Sequence, residues 1–428
     1  SLEMAARPLL RCLPSTLRFA SRRTLLSPAF SLDSEWAERH SAISRLGVGG
    51  DYEWIATVQK KFIGGGVASA VDVDVSVNMA EHSDQVADIL EILDKFRYSP
   101  SASRLPPSSH YAAIRLLLSH QPDKLLQLPL DPINLGIFPD EHAACLIIHH
   151  FFEANDIQAA SRFACWVMQQ EMVECPLLSL LSLIAVSRWT ELPFQDRKQA
   201  EETAQVEEEE EVNDDDIVTI KLPYLKNEWN DSHFDLVSPR LLAGKTLLWL
   251  SQTPPLTSPQ NKPLLLGCQL LGHFLYNQLP EALKTASEPG VLPSASRLVA
   301  QMIKENAGEA EPAGPAQALL LNTQPATEKD EQPLSHLLSL QLQQIQSSEE
   351  EKLLQTQKKN FARWNEDRDK LVRAQAERLL LRVRSEEVEK ELEGLKKEEE
   401  KLFFFENRLA LEKAARENAA IAAEAAQK

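Results

Sequence analysis

A closely spaced helix pair constrains this chain more than any other feature. Residues 141–152 (EHAACLIIHHFF) and 156–172 (DIQAASRFACWVMQQEM) both place apolar side chains at helical spacing. Only Glu153-Ala154-Asn155 parts them. A connection this short sets the two helices antiparallel and side by side. Two helices of this length cannot bury their apolar faces on each other alone, so further pairs must stack against them. The expected class is therefore all-α, a stack of helix hairpins. Glycine supports this by its scarcity, 14 residues against 25 prolines, because phosphate loops and tight β-turns depend on it.

Other segments fit the same plan. Residues 82–97 (HSDQVADILEILDKFR) carry Val86, Ile89, Leu90, Ile92, Leu93 and Phe96 at helical spacing, and Pro100 follows as a stop. Residues 108–119 predict a helix, and 175–189 open a following pair. Helical signals return over 236–252 and 263–288 and fade towards 305. Val71–Val77 (VDVDVSV) alternates like an edge strand, but a loop or an irregular helix start is the preferred reading. The expected organisation is a leader over 1–32, a linker over 33–50 and helical repeats over 51–195. An acidic loop over 196–220, further hairpins over 221–305, a flexible linker over 306–333 and a charged helical tail over 334–428 complete it.

From Met4 the chain reads MAARPLLRCLPSTLRFASRRTLLSPAFSL, with Arg7, Arg11, Arg18, Arg22 and Arg23 and no acid before Asp33. An arginine- and serine-rich, acid-free opening predicts a mitochondrial transit peptide, with Ala20/Ser21 as a processing point. Arginines and Pro14 interrupt the apolar run that a secretory signal needs. No apolar stretch is long enough to span a bilayer.

Formal net charge is −18, and residues 201–216 alone hold ten acids and no base. That tract predicts a solvated loop, since like charges repel and little apolar surface is available. Contact with a polyanion must therefore be local, or the main partners are proteins. In the tail Ala374, Leu381, Val388, Leu395, Leu402 and Leu409 recur every seven residues, as in a coiled-coil seam. The companion positions Arg378, Ser385, Leu392, Glu399 and Glu406 are mostly poor, so a long helix leaning one stripe on a partner is expected.

Catalytic and metal-binding patterns fail one by one. Ala243-Gly244-Lys245-Thr246 resembles the end of a phosphate loop, but Pro239 stands where that loop needs glycine and no strand precedes it. His149 and His150 are adjacent on a helix and point about 100° apart, so they cannot chelate as an i, i+4 pair does. Cys12, Cys145, Cys165, Cys175 and Cys268 are scattered without a CxxC, which predicts buried thiols in a reducing compartment. No enzyme, catalytic residue, metal, cofactor or small-molecule substrate is expected.

The segment Gly136-Ile137-Phe138-Pro139-Asp140 leads into the helix pair, and the helix at 108 begins about 33 residues before the one at 141. This resembles a pentatricopeptide repeat, in which a glycine–proline–aspartate join separates consecutive helix pairs. The order of further motifs extends the likeness: Asp94–Pro100, the join at 136–140, Val167–Glu171, Leu241–Leu247 and Asn360–Trp364. Together they resemble the pentatricopeptide-repeat-containing ribosomal proteins of the mitochondrial small subunit, over about residues 24 to 380. The acidic insertion and the extension after 385 look particular to this chain.

The resemblance implies a right-handed pentatricopeptide-like solenoid with a C-terminal long helix or coiled coil. It also implies a component of the mitochondrial ribosome in the matrix, binding small-subunit ribosomal RNA and neighbouring ribosomal proteins in support of translation. Two alternatives stay open: a free pentatricopeptide factor acting on transcripts, and a helical adaptor that binds only proteins. By the motif alignment Cys145 falls near a base-reading position, where a thiol is a poor reader. RNA contact is instead expected from Lys60, Lys61, Lys95, Arg97, Arg104, Arg115 and Lys124 against phosphates. Gly136, Pro139 and Asp140 form the repeat join, and Trp364, in a charged helix, is the expected anchor to a partner.

Overall fold

In a computed structural model of the chain the described residues are 25–130, 132–198, 236–253, 256, 261–307, 314–323 and 332–426. The leader up to residue 24 and the acidic tract lie outside them. Among the described residues every regular element is a helix. The chain divides into two compact units, residues 1–362 and 363–428.

The first unit opens with α1 (Asp33–Ser44), α2 (Asp51–Phe62), α3 (Ala70–Met79), α4 (Gln85–Arg97) and α5 (Pro107–His120). Short α6 (Gln127–Leu130) and α7 (Pro132–Leu135) lead to α8 (Glu141–Glu153), α9 (Ile157–Gln169) and α10 (Pro176–Thr190). Then come α11 (Pro239–Ser251), α12 (Lys262–Leu275), α13 (Leu279–Ala286), α14 (Pro293–Ala307) and α15 (Pro315–Thr323). Each helix packs on near neighbours in sequence: α3 on α2 and α5, α5 on α8, α8 on α9, α9 on α10 and α11, α11 on α12, α12 on α13 and α14. Local stacking of this kind is what hairpins of this length need to bury their faces.

Local chemistry sets the hairpin that anchors the unit. Asn155 takes the left-handed conformation (φ 59°), which asparagine tolerates better than most residues. Asp156 then caps α9, its Oδ1 accepting the N–H of Ala159 at 2.9 Å. Phe163, Ala164, Trp166, Val167 and Met168 of α9 are buried. In α10 nearly every residue is buried, so it lies inside the unit and not on its surface.

Several sequence expectations need correcting. Val71–Val77 is neither loop nor irregular start but part of regular helix α3, opened by a capping box between Ser69 and Asp72. The alternation misleads because this helix is buried all round, polar residues included. Asp74 is met internally: its Oδ1 accepts from the Ser108 and Ser109 hydroxyls at 2.5 and 2.7 Å and from Asn78 Nδ2 at 2.9 Å. Residues 33–44 of the expected linker form α1, with Trp36 and Ile43 buried. Residues 315–323 of the expected flexible stretch form α15, with Leu319 buried. Residues 25–32, expected in the leader, carry the buried side chains Leu26, Phe30 and Leu32.

Helix α16 (Leu334–Leu402) begins in the first unit, where Leu334, Leu338, Leu342, Leu353 and Phe361 are buried. Its first turn is held by Glu191, whose carboxylate accepts the Ser335 N–H at 3.0 Å and the Ser335 hydroxyl at 2.6 Å. The second unit holds the rest of α16 and α17 (Phe404–Ala426). Leu381, Val388, Leu395, Leu402 and Leu409 of the seven-residue file are all exposed. No described helix is long and apolar enough to cross a membrane.

Candidate functional site

The segment 136–140 is built as its residue types require. Gly136 is left-handed (φ +60°), and a Cβ there would lie 2.9 Å from Cδ of Arg97. Both facts demand glycine: an L side chain would be strained and would collide with the arginine stem. Pro139 is buried. Asp140 caps α8, its Oδ1 accepting the Ala143 N–H at 2.7 Å. Burial pushes the Asp140 carboxyl up to about 6.

The first turn of α8 also carries His142, which reaches inward. Its Nε2 lies 2.8 Å from the Phe30 carbonyl oxygen and its Nδ1 lies 3.1 Å from the Tyr111 hydroxyl. A carbonyl only accepts, so Nε2–H donates to Phe30 and Nδ1 accepts from tyrosine. Burial pushes the imidazole down to about 4, so it is neutral, in agreement with one donor and one acceptor. Phe30 stacks on the same ring at 4.6 Å. Tyr111 meets Trp36 at 4.9 Å and Phe361 at 5.3 Å, edge to face. This cluster ties residues 28–31, α1, α5, α8 and α16 together.

The seven basic candidates divide by their surroundings. Arg115 is a tie rod: Nη1 donates to the Ser31 carbonyl at 2.7 Å and Nη2 to Asp33 Oδ1 at 2.5 Å. Its side chain is only 13% exposed, which leaves little of the guanidinium for a phosphate. Lys61 pairs with Asp72 at 2.6 Å and lies over the Trp54 ring. Lys95 pairs with Glu91 at 2.5 Å, four residues back on α4. Arg97 packs on Gly136 and has a partner within the chain. Lys60 and Arg104 are exposed and Lys124 is half-buried.

Lys95, Arg97 and Arg104 share the corner between α4 and α5. No aspartate or glutamate occurs from Lys95 to Pro122. At that corner Tyr98, the C-cap of α4, is 71% exposed. Sequence reasoning misses Tyr98. The signal is its place between Arg97 and Arg104 in an acid-free interval, since an exposed ring among cations suits stacking on bases.

Other expectations find their places. Cys145 is fully buried, so it faces the interior and not a ligand. Cys165, Cys175 and Cys268 are buried as well, and burial raises all four thiols. Gly244 lies inside α11 at a helix crossing, where an added Cβ would be 2.7 Å from Tyr276 N and 3.0 Å from Gly272 O. The phosphate-loop lookalike is thus a packing device. No group of histidines, cysteines and acids able to hold a metal occurs among the described residues. Trp364 is half-buried and engaged within the chain, whereas Phe361, three residues earlier, sits in the aromatic cluster.

The profile of the family described as mitochondrial 28S ribosomal protein S27 matches residues 4–394.

Proposed function

The chain belongs to the mitochondrial 28S ribosomal protein S27 family, and we propose that within the small ribosomal subunit it is a structural element that grips ribosomal RNA locally. Family membership makes it a mitochondrial ribosomal protein and a component of the small subunit. The finer reading is that the corner formed by Lys95, Arg97 and Arg104 meets phosphates while Tyr98 offers a ring to an unpaired base. The observation that carries it is the exposed Tyr98 ring beside the exposed Arg104, within an acid-free interval from Lys95 to Pro122 in a chain of net charge −18. An acidic protein approaches a polyanion only through such a local departure from its mean charge.

Base-by-base reading along the repeats is not supported, because Cys145 is buried. The role is therefore scaffolding: fixed side chains position RNA backbone, and further surface is left to protein neighbours. A free transcript-binding factor would need regular polar readers on successive repeats. The exposed apolar stripe of the second unit favours protein contacts in addition to RNA, not in place of it.

Ultraviolet crosslinking inside isolated mitochondrial small subunits tests the RNA grip. Crosslinks from peptides covering 95–104 to small-subunit ribosomal RNA are expected. Protein present in the particle with no crosslink from that corner would overturn the assignment.

A further inference from the structure

The leader and the fold meet in residues 25–36, and this junction has a consequence for maturation. Leu26 and Phe30 are each 1% exposed. The Ser27 N–H donates to Glu350 Oε1 of α16 at 3.2 Å. The carbonyl of Phe30 accepts from His142 of α8, and that of Ser31 accepts from Arg115 of α5. Leu32 adopts a left-handed conformation (φ 51°) at the entry to α1. A non-glycine residue holds that conformation only where its surroundings over-determine it, and here its side chain is buried. A short stretch thus ties three helices that are far apart in sequence.

All five leader arginines fall at or before Arg23, and the buried apolar residues begin at Leu26. We infer that proteolytic removal of the leader ends before Leu26, so that residues 26–32 are kept as the first structural element of the mature protein. The inference rests on the mitochondrial reading and adds a boundary to it. The step is hydrolysis of one peptide bond between Met4 and Leu26 by a matrix endopeptidase. One water is consumed, and the new amino terminus stays with the folded protein. The Ala20/Ser21 bond lies inside this window. A cut after Leu32 would remove Phe30 from His142 and the Ser31 carbonyl from Arg115, and would open the Trp36–Tyr111–Phe361 cluster to water.

Import of the full-length precursor into energised isolated mitochondria tests this, with the mature N-terminal peptide identified by mass spectrometry. The expected terminus lies at or before Leu26 and after Met4. A terminus at Ser27 or later would overturn the boundary while leaving mitochondrial import intact. An imported chain that keeps its whole arginine-rich segment would overturn the removable leader itself, and the boundary with it. As a second measurement, recombinant chains beginning at 25 and at 33 are melted beside the full-length chain. The chain from 25 should melt with full-length protein, and the chain from 33 at least about 10 °C lower. Equal melting of the two shortened chains would contradict a structural role for residues 25–32.

Discussion

His142 holds Phe30 in two ways: the rings stack at 4.6 Å, and Nε2–H donates to the Phe30 carbonyl at 2.8 Å. One residue of α8 thereby fixes both the side chain and the backbone of a segment more than a hundred positions earlier. Because Phe30 is fully buried, Phe30→Ala leaves a cavity and should cost about 3–5 kcal/mol. Chemical denaturation of the full chain checks this, and a loss below about 1 kcal/mol would show that the segment is loosely held.

The neutral state of His142 makes stability depend on pH. Burial pushes His142 and His110 down to about 4 from an ordinary 6.5. Between those values the unfolded chain binds protons that the folded chain does not, so these groups make stability fall as pH falls from 6.5 to 4. Asp140 works against them. Raised to about 6 from 3.8, it takes its proton first in the folded state and adds stability as pH falls through that range. The difference between wild type and His142→Gln isolates one group, because glutamine can replace both hydrogen bonds. That difference should shrink the loss from pH 7 to pH 4 by up to about 3 kcal/mol. Identical pH profiles for the two proteins would contradict a neutral buried imidazole.

Removal of the cap on α8 has a smaller predicted effect. Asp140→Ala should cost about 1 kcal/mol, and Asp140→Asn, which keeps an acceptor for the Ala143 N–H, clearly less. Thermal melts of the two variants side by side check the order. Equal losses would mean that the hydrogen bond at 2.7 Å contributes nothing.

Two glycines should respond in opposite senses to alanine. At Gly244 the new Cβ would meet backbone atoms of α12, so α11 and α12 must move apart, at a cost of about 1–3 kcal/mol. At Gly394, on α16, nothing lies within 4 Å of the new Cβ. There alanine should strengthen the helix by about 0.5–1 kcal/mol through backbone entropy. Melting of the full chain reads the first effect and helicity by circular dichroism the second.

At the α4–α5 corner, charge and stacking separate experimentally. Arg104→Ala should lower the slope of log affinity against log salt for small-subunit ribosomal RNA by about 1. Tyr98→Leu should weaken binding by about 1–3 kcal/mol with the slope unchanged, and Tyr98→Phe should retain it. Filter binding over a salt series checks both. Wild-type affinity in Tyr98→Leu would remove the stacking role and leave the phosphate contacts standing.

The parts of the fold legible in the sequence were those with one buried face. The pair 141–152 and 156–172 and the short turn between them follow from spacing. Helix α3 was illegible because it is buried on every side, and its alternating valines and polar residues then mimic a strand. Residues 25–44 are hard to read from sequence for a different reason. Their apolar residues find partners in α5, α8 and α16, and no local pattern reports on contacts so distant in sequence. Among the basic candidates, sequence could mark charge but not commitment: Arg115 and Lys61 already hold carbonyls or carboxylates, whereas the Lys95–Glu91 pair lies on an exposed helix face. Tyr98 needed the structure to show its exposure. Family membership supplied what the geometry could not, namely the ribosome.

Sedimentation of mitochondrial lysate through a sucrose gradient, with and without ribonuclease, tests the central claim most directly. The protein should migrate with small-subunit ribosomal RNA and move to the light fractions after digestion. Migration as a light species in untreated lysate would contradict its place in the small subunit.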